Sequence, residues 1–239
     1  MKGYVHSIET CGTLDGPGIR YVIFLQGCPL RCKFCHNPDT WQLYAGKQYS
    51  ADELVQDILK YKNFIKNGGV TLSGGEPLLQ PDFAAEIFRQ CKAQGIHTAV
   101  DTSGAIPLKV CKEAIDTVDL VLLDIKSIDN LKCEGLTGKG NENALELLNY
   151  LEEIGKEIWI RHVVVPGITE DYADIEKMGE YLSKFKVITR VEILPFHKMG
   201  EYKWKNMGLK YDLEETLEPQ KESITKIKDI LKSYNLNVM

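Results

Sequence analysis

Cys28, Cys32 and Cys35 fall within the short stretch GCPLRCKFCHN (27–37). Thiolates bind zinc or iron–sulfur clusters. The other cysteines, Cys11, Cys91, Cys111 and Cys133, lie far apart and match no ligand spacing. A closed zinc site takes four ligands, and His36 is the nearest candidate for the fourth. Cys35 and His36 are adjacent, and neighbouring side chains diverge, so a closed tetrahedron there would be strained. An iron–sulfur cube held by three cysteines instead leaves one iron without a protein thiolate. That iron is a Lewis-acid position able to chelate an outside ligand. The missing place is therefore expected to belong to a substrate.

Such a cluster needs a scaffold, and the chain alternates short β-rich runs with amphipathic stretches of helical length. RYVIFL (20–25) reads as a strand that delivers the cysteines. A helix is expected from Ser50, where SADE forms a capping box, with Leu54, Ile58, Tyr61 and Ile65 on one face and Gly68-Gly69 at its end. VTLS (70–73) then leads to a helix opened by Pro81, and IHTAV (96–100) to one near 107–116. DLVLLD (119–124) leads to a helix near 141–154, and EIWIRHVVV (157–165) to one near 170–184. RVEILPF (190–196) is the sixth strand, and a last helix is expected near 218–234. The stretch 197–217 has no clear period and reads as an ordered lid.

Strands alternating with helices imply right-handed crossovers and a parallel sheet. Periodicity fits either a doubly wound sheet or an incomplete barrel. In both, the site forms at the carboxyl ends of the strands. Those ends carry the three cysteines, Gly74-Gly75-Glu76-Pro77, Asp101-Thr102-Ser103-Gly104, Asp124-Ile125-Lys126, Arg161-His162, and Pro195-Phe196-His197. The strands themselves are nearly all apolar, so one converging site explains the pattern better than six independent loops.

The 239 residues contain no Pro/Gly/Ser-rich linker, so a single domain, 1–239, is expected. A net charge of −5 argues against nucleic acid as the main partner. MKGYVHSIET lacks the apolar stretch of a signal peptide, and no uncharged run reaches the length of a membrane span. No membrane association and a cytoplasmic location follow as expectations. Seven cysteines, an odd number, argue against a disulfide framework.

The pattern Cys28-x3-Cys32-x-Phe34-Cys35, with the Gly74-Gly75-Glu76-Pro77 loop, resembles the radical S-adenosylmethionine enzymes. SIETCGTLDGPGIRYVIFLQGC (7–28), CHNPDTW (35–41), DTSG, LLDIK, WIRHVVVPG and PFHKMGEYKWKNMGLKY (195–211) narrow the resemblance to the glycyl-radical-enzyme activases. It runs from about residue 4 to the last helix. No cysteine lies between Cys35 and Val70, whereas a second group of activases inserts a cysteine-rich segment there. The likeness is therefore to the type that serves pyruvate formate-lyase.

That resemblance implies a partial (β/α)6 TIM-like barrel with parallel strands. It implies one [4Fe–4S] cluster on Cys28, Cys32 and Cys35, whose unique iron chelates S-adenosylmethionine. Phe34 would lie against the adenine, and the Gly74-Gly75-Glu76 loop would offer backbone acceptors to the methionine ammonium. Lys126, Arg161 and His197 would fix the ribose and methionyl ends. Asp101, Thr102 and Asp124, with the carbonyl of Leu122, match the ligands of a sodium or potassium ion. The reduced cluster would split the C5′–S bond, and the 5′-deoxyadenosyl radical would take a Cα hydrogen from one glycine of the partner, pyruvate formate-lyase. Asp15, in the DGPGIR turn, would hold the incoming peptide. Asp15, Lys126 and His197 are thus the expected catalytic residues, and flavodoxin or ferredoxin the expected electron donor.

Other residues carry plainer expectations. His6, His97 and His162 read as core or strand residues and Cys91, Cys111 and Cys133 as small core residues, whereas Cys11 is ambiguous, the edge of the site beside the DGPG turn being one place for it. DLEETLE (212–218) reads as a solvated face, and Trp204 and Met207 as core residues of the tail or contacts for the partner protein, core packing being slightly preferred. The competing classes are a zinc-stabilised binding module and a radical enzyme acting on a small molecule.

Overall fold

The computed structural model describes all residues, 1–239. Its strands are β1 (Lys2–Gly12), β2 (Arg20–Leu25), β3 (Lys47–Ser50), β4 (Gly69–Gly74), β5 (Thr98–Thr102), β6 (Leu120–Asp124), β7 (Ile158–Val164) and β8 (Ile188–Pro195). Its α-helices are α1 (Ala51–Lys60), α2 (Pro81–Ala93), α3 (Leu108–Thr117), α4 (Asn130–Thr137), α5 (Glu142–Glu153), α6 (Tyr172–Leu182), α7 (Glu201–Asn206) and α8 (Lys221–Ser233). The hydrogen-bonded strand order is β3-β1-β2-β4-β5-β6-β7-β8. The pairs β2–β4, β4–β5 and β7–β8 are parallel, whereas β1 runs antiparallel to both β2 and β3. The six strands read from the sequence are β2 and β4 to β8. The alternation and the mostly parallel sheet bear out the partial barrel of the α/β class.

The chain divides into two compact units, the first comprising 1–29 and 40–122, the second 30–39 and 123–239. The core of the first includes β2 and β4, where Tyr21, Val22, Ile23, Leu25, Val70 and Leu72 are fully buried, and Phe83, Ile87 and Phe88 of α2, which are buried too. Parallel strands covered on both faces need such continuous apolar runs, and each buried aliphatic side chain contributes ~1.5–3 kcal/mol. In the second unit Ile158, Ile160 and Val164 of β7 are buried with Leu147, Leu148 and Leu151 of α5 and Ile175, Met178 and Leu182 of α6.

The capping box at α1 forms as expected: Glu53 N donates to Ser50 Oγ at 3.1 Å and Ser50 N donates to Glu53 Oε2 at 2.7 Å. The helix nonetheless ends at Lys60, short of the expected Gly68. Tyr61 N donates back to Ile58 O, tightening the last turn, and the chain then bends so that Gly68 meets Ile19, where a Cβ on Gly68 would lie 1.9 Å from the Ile19 carbonyl oxygen. Phe64 is left exposed while Ile65 is buried. β1, β3 and α4 have no counterpart in the sequence reading: β1 is half-exposed along its length, and β3, the four-residue strand at the edge of the sheet, carries little apolar signal. The stretch 197–217 contains α7. Cys91, Cys111, Cys133 and His162 are buried, as expected, while Cys11 is exposed. Trp204 is buried, in line with the preferred core reading, but Met207, just past the end of α7 at Asn206, is 44% exposed and departs from it. The acidic side chains of 212–218 are exposed, with Leu213 buried between them. No helix is long and apolar enough to cross a membrane.

Candidate active site

In the first unit, β2 ends at Leu25 and the chain turns through Gly27 (φ +96°) into Cys28. Gly27 N donates to Thr40 O at 2.6 Å and Cys28 N to Trp41 O at 3.2 Å. The Gly-Gly-Glu loop after β4 closes on this turn: Gly75 N donates to Leu25 O at 3.0 Å and Glu76 N to Gly27 O at 2.8 Å. A Cβ on Gly75 would stand 2.2 Å from the Gly27 carbonyl oxygen, and Gly74 holds φ +113°. Only glycine permits both the approach and the conformation.

The Glu76 side chain is fully buried and turned inward. Its oxygens accept from Thr102 Oγ1 at 2.7 Å, Ser103 N at 2.9 Å, Ser103 Oγ at 2.5 Å and Leu78 N at 3.1 Å. Burial pushes its pKa up, and the hydrogen bonds from Ser103, Thr102 and Leu78 only partly counter it. Glu76 therefore ties the loop to the end of β5, and the loop's main chain is what it can present to a ligand. Nearby, Ser73 Oγ donates to Asp101 Oδ2 at 3.0 Å. The Thr102 hydroxyl, which also accepts from Gly104 N at 3.0 Å, is occupied by the loop. Asp15 lies in the turn between β1 and β2, and its carbonyl accepts from Thr71 Oγ1 of β4 at 2.6 Å.

In the second unit, Cys32 is buried and Cys35 half-buried in a tight turn in which Cys35 N donates to Cys32 O at 3.1 Å. Arg31 N and Lys33 N donate to Thr137 O and Leu136 O at the end of α4, fixing the loop. Between the two cysteines Phe34 is buried, and Lys126 Nζ lies 5.2 Å from its ring centroid. Lys126 Nζ also bonds Asp124 Oδ2 at 2.7 Å, an ion pair at the end of β6 that is largely shielded from water. Arg161 faces Glu192 in register across β7 and β8, with Nε 3.4 Å from Glu192 Oε2.

His197 follows β8. Its ring stacks on His36, centroids 4.2 Å apart, and His36 Nε2 donates to the His197 carbonyl at 2.9 Å. Burial lowers the His36 pKa. His197 Nδ1 is buried with no hydrogen-bond partner. A polar atom left so is costly, and a water, an ion or a ligand would satisfy it. The tail grips the cysteine loop at further points: Trp204 Nε1 donates to Cys35 O at 2.8 Å, and Lys203 Nζ reaches Asn37 Oδ1 at 2.8 Å and Asp39 at 3.1 Å.

Of the expected residues, the first unit thus brings together Gly74, Gly75, Glu76 and Thr102, and joins Asp101 to Ser73. The second joins Phe34, Lys126 and Asp124, and sets His197 beside the cysteine loop. Leu122 is buried within β6. Sequence reasoning placed Ser103 at a strand end without its role on Glu76, and missed Glu192, the His36–His197 stack and the Trp204–Cys35 bond. Register across β7 and β8 would have found Glu192; the others join segments with no common pattern. None of the cysteines forms a disulfide. No three His, Cys, Asp or Glu side chains gather closely enough for one metal ion. A cube asks for no such point, since each thiolate binds a different iron. Taken unit by unit, the glycine approach beside Cys28 in the first, and Cys32, Cys35 and the unpartnered His197 nitrogen in the second, are groups that suit a cluster with an organic cofactor.

The model of the Radical SAM superfamily matches residues 22–179. The chain is 44% identical to the pyruvate formate-lyase-activating enzyme of Staphylococcus epidermidis, across 99% of this chain and 97% of that protein. It is 45% identical to the enzyme of the same name from Listeria monocytogenes, across 98% and 97%. Among solved structures it is similar to a domain of the pyruvate-formate lyase-activating enzyme of Bacteroides vulgatus, with 28% identity and a TM-score of 0.61 over 72% of this chain and 98% of that one.

Proposed function

The chain belongs to the Radical SAM superfamily, and from that premise we propose that it activates pyruvate formate-lyase by generating a glycyl radical on it. Supporting this reading is likeness to activating enzymes along almost the whole chain, together with the cysteine motif at the end of β2. The catalytic unit is one radical S-adenosylmethionine domain, 1–239, working in the cytoplasm.

Cys28, Cys32 and Cys35 would hold a [4Fe–4S] cluster as thiolates. When bound, a reduced cluster with S-adenosylmethionine would supply the one-electron radical chemistry needed to remove a Cα hydrogen from a glycine of the partner. The protein's part is placement. Phe34 offers a flat apolar face to the adenine, and Gly74 and Gly75 let main-chain acceptors come close to the methionine ammonium. Glu76 holds that loop rigid from within. Lys126, oriented by Asp124, and Arg161, oriented by Glu192, bring positive charge to the anionic and hydroxyl ends of the cofactor. His197 Nδ1 provides a further polar contact. Asp101, Thr102, Asp124 and the Leu122 carbonyl serve a sodium or potassium ion; Thr102 would contribute its carbonyl, since its hydroxyl is taken by Glu76. Asp15 receives the glycine-bearing loop, and flavodoxin or ferredoxin supplies the electron.

The test is anaerobic. The reconstituted, reduced protein is mixed with S-adenosylmethionine and unactivated pyruvate formate-lyase, and a glycine-centred doublet is sought by EPR. Its appearance supports the reading. Release of 5′-deoxyadenosine with no radical on the partner would place the chain among radical enzymes with small-molecule substrates.

A further inference from the structure

The Arg20 side chain is fully buried at the start of β2, directly after the turn that carries Asp15. Burial of so large a charge is costly unless every donor is used. Nε donates to Thr71 Oγ1 at 2.8 Å, Nη2 donates to Val70 O, and Nη1 donates to His97 Nδ1 at 3.0 Å. A guanidinium only donates, so His97 accepts through an unprotonated Nδ1. Burial lowers the Arg20 pKa to about 10, which leaves it charged at neutral pH.

The consequence lies at Thr71. Its hydroxyl receives the Arg20 Nε proton and has one proton of its own, which it gives to the Asp15 carbonyl at 2.6 Å. With an acceptor position of the hydroxyl filled from the arginine side, its proton is aimed at the turn. The turn is otherwise shaped by close approaches: a Cβ on Gly18 (φ +69°) would stand 2.2 Å from Asn67 O, and one on Gly12 would stand 2.8 Å from Asp15 Oδ2. Two residues along β4 from Thr71, on the same face, Ser73 holds Asp101. One strand face therefore sets both the DGPG turn and a residue of the cofactor end.

We propose that Arg20 and Thr71 are positioning residues for Asp15, a hydrogen-bonded relay that fixes the turn receiving the partner's glycine loop. This rests on the activase reading above. The probe is full-length, unactivated pyruvate formate-lyase, with affinity measured anaerobically on the reconstituted enzyme in the presence of S-adenosylmethionine.

Thr71→Val removes both hydroxyl bonds at nearly constant volume and should weaken partner affinity at least about tenfold. Thr71→Ser should restore it to within about threefold, and an unfolding curve for each variant verifies that it folds. The relay acts through Asp15, so Thr71→Val should cost little further in an Asp15→Ala background. Wild-type affinity in Thr71→Val, or an equal loss in both backgrounds, overturns the inference and leaves the activase reading standing. If the wild-type chain neither binds nor radicalises the partner, the activase reading falls and the relay with it.

Discussion

The Trp204 indole donates to the carbonyl of Cys35 at 2.8 Å, so the tail helix is bonded to the loop that bears two of the three motif cysteines. Trp204→Phe keeps the ring packed against Tyr211 and removes only this bond. The expected loss is about 1 kcal/mol in urea unfolding. Amide exchange over residues 35–39 should quicken as well, and unchanged exchange there would show that the bond does not hold the loop.

Cys32→Ala should abolish cluster assembly, because the remaining thiolates leave two irons of a cube without protein ligands. Iron, acid-labile sulfide and visible absorbance of anaerobically reconstituted protein provide the measurement. An intact cluster in this variant contradicts the ligand assignment.

Asp124 and Lys126 form a shielded ion pair, so neither can be changed alone without altering the other. Asp124→Ala is expected to weaken S-adenosylmethionine binding about tenfold, near 1.4 kcal/mol, with Lys126→Ala similar and the double variant less than additive. Calorimetry in sodium and potassium buffers tests whether Asp124 serves a cation besides orienting Lys126. Affinity indifferent to both ions counts against the cation site.

Glu76 gives a pH dependence. Its folded pKa lies above the ordinary value of 4.5, chiefly through burial, so the folded state holds this proton more tightly than the unfolded chain. Stability then falls as pH rises from about 4.5 through the folded value, because the unfolded chain releases the proton first. The stability of wild type relative to Glu76→Gln should decline across that window in urea titrations at successive pH values. A difference independent of pH refutes it.

Gly75→Ala should be costly for reasons of space alone. The new methyl would meet the Gly27 carbonyl oxygen at 2.2 Å, and two loops would have to part. A destabilisation of about 2–4 kcal/mol is expected, with poorer cluster retention as Cys28 shifts alongside. A variant as stable as wild type would mean the loops yield freely.

The chemistry of this protein was readable because it is written in short, local patterns. Three cysteines in eight positions, a Gly-Gly-Glu loop after an apolar run and SADE before an amphipathic one each carry their meaning within a few residues, and parallel strands buried on both faces are apolar enough to be counted. β1, half-exposed along its length, and the four-residue edge strand β3 paired to it carry no such signature.

What tertiary structure alone decided was the use of each polar group. The sequence places Glu76 in a ligand-binding loop, but only folding shows its carboxylate turned inward onto Thr102 and Ser103. Likewise Arg20 reads as the end of a turn motif until it is seen buried with Thr71 and His97, fifty and more residues away. A buried polar atom must find partners wherever the chain brings them, and those partners share no spacing that a linear pattern can record.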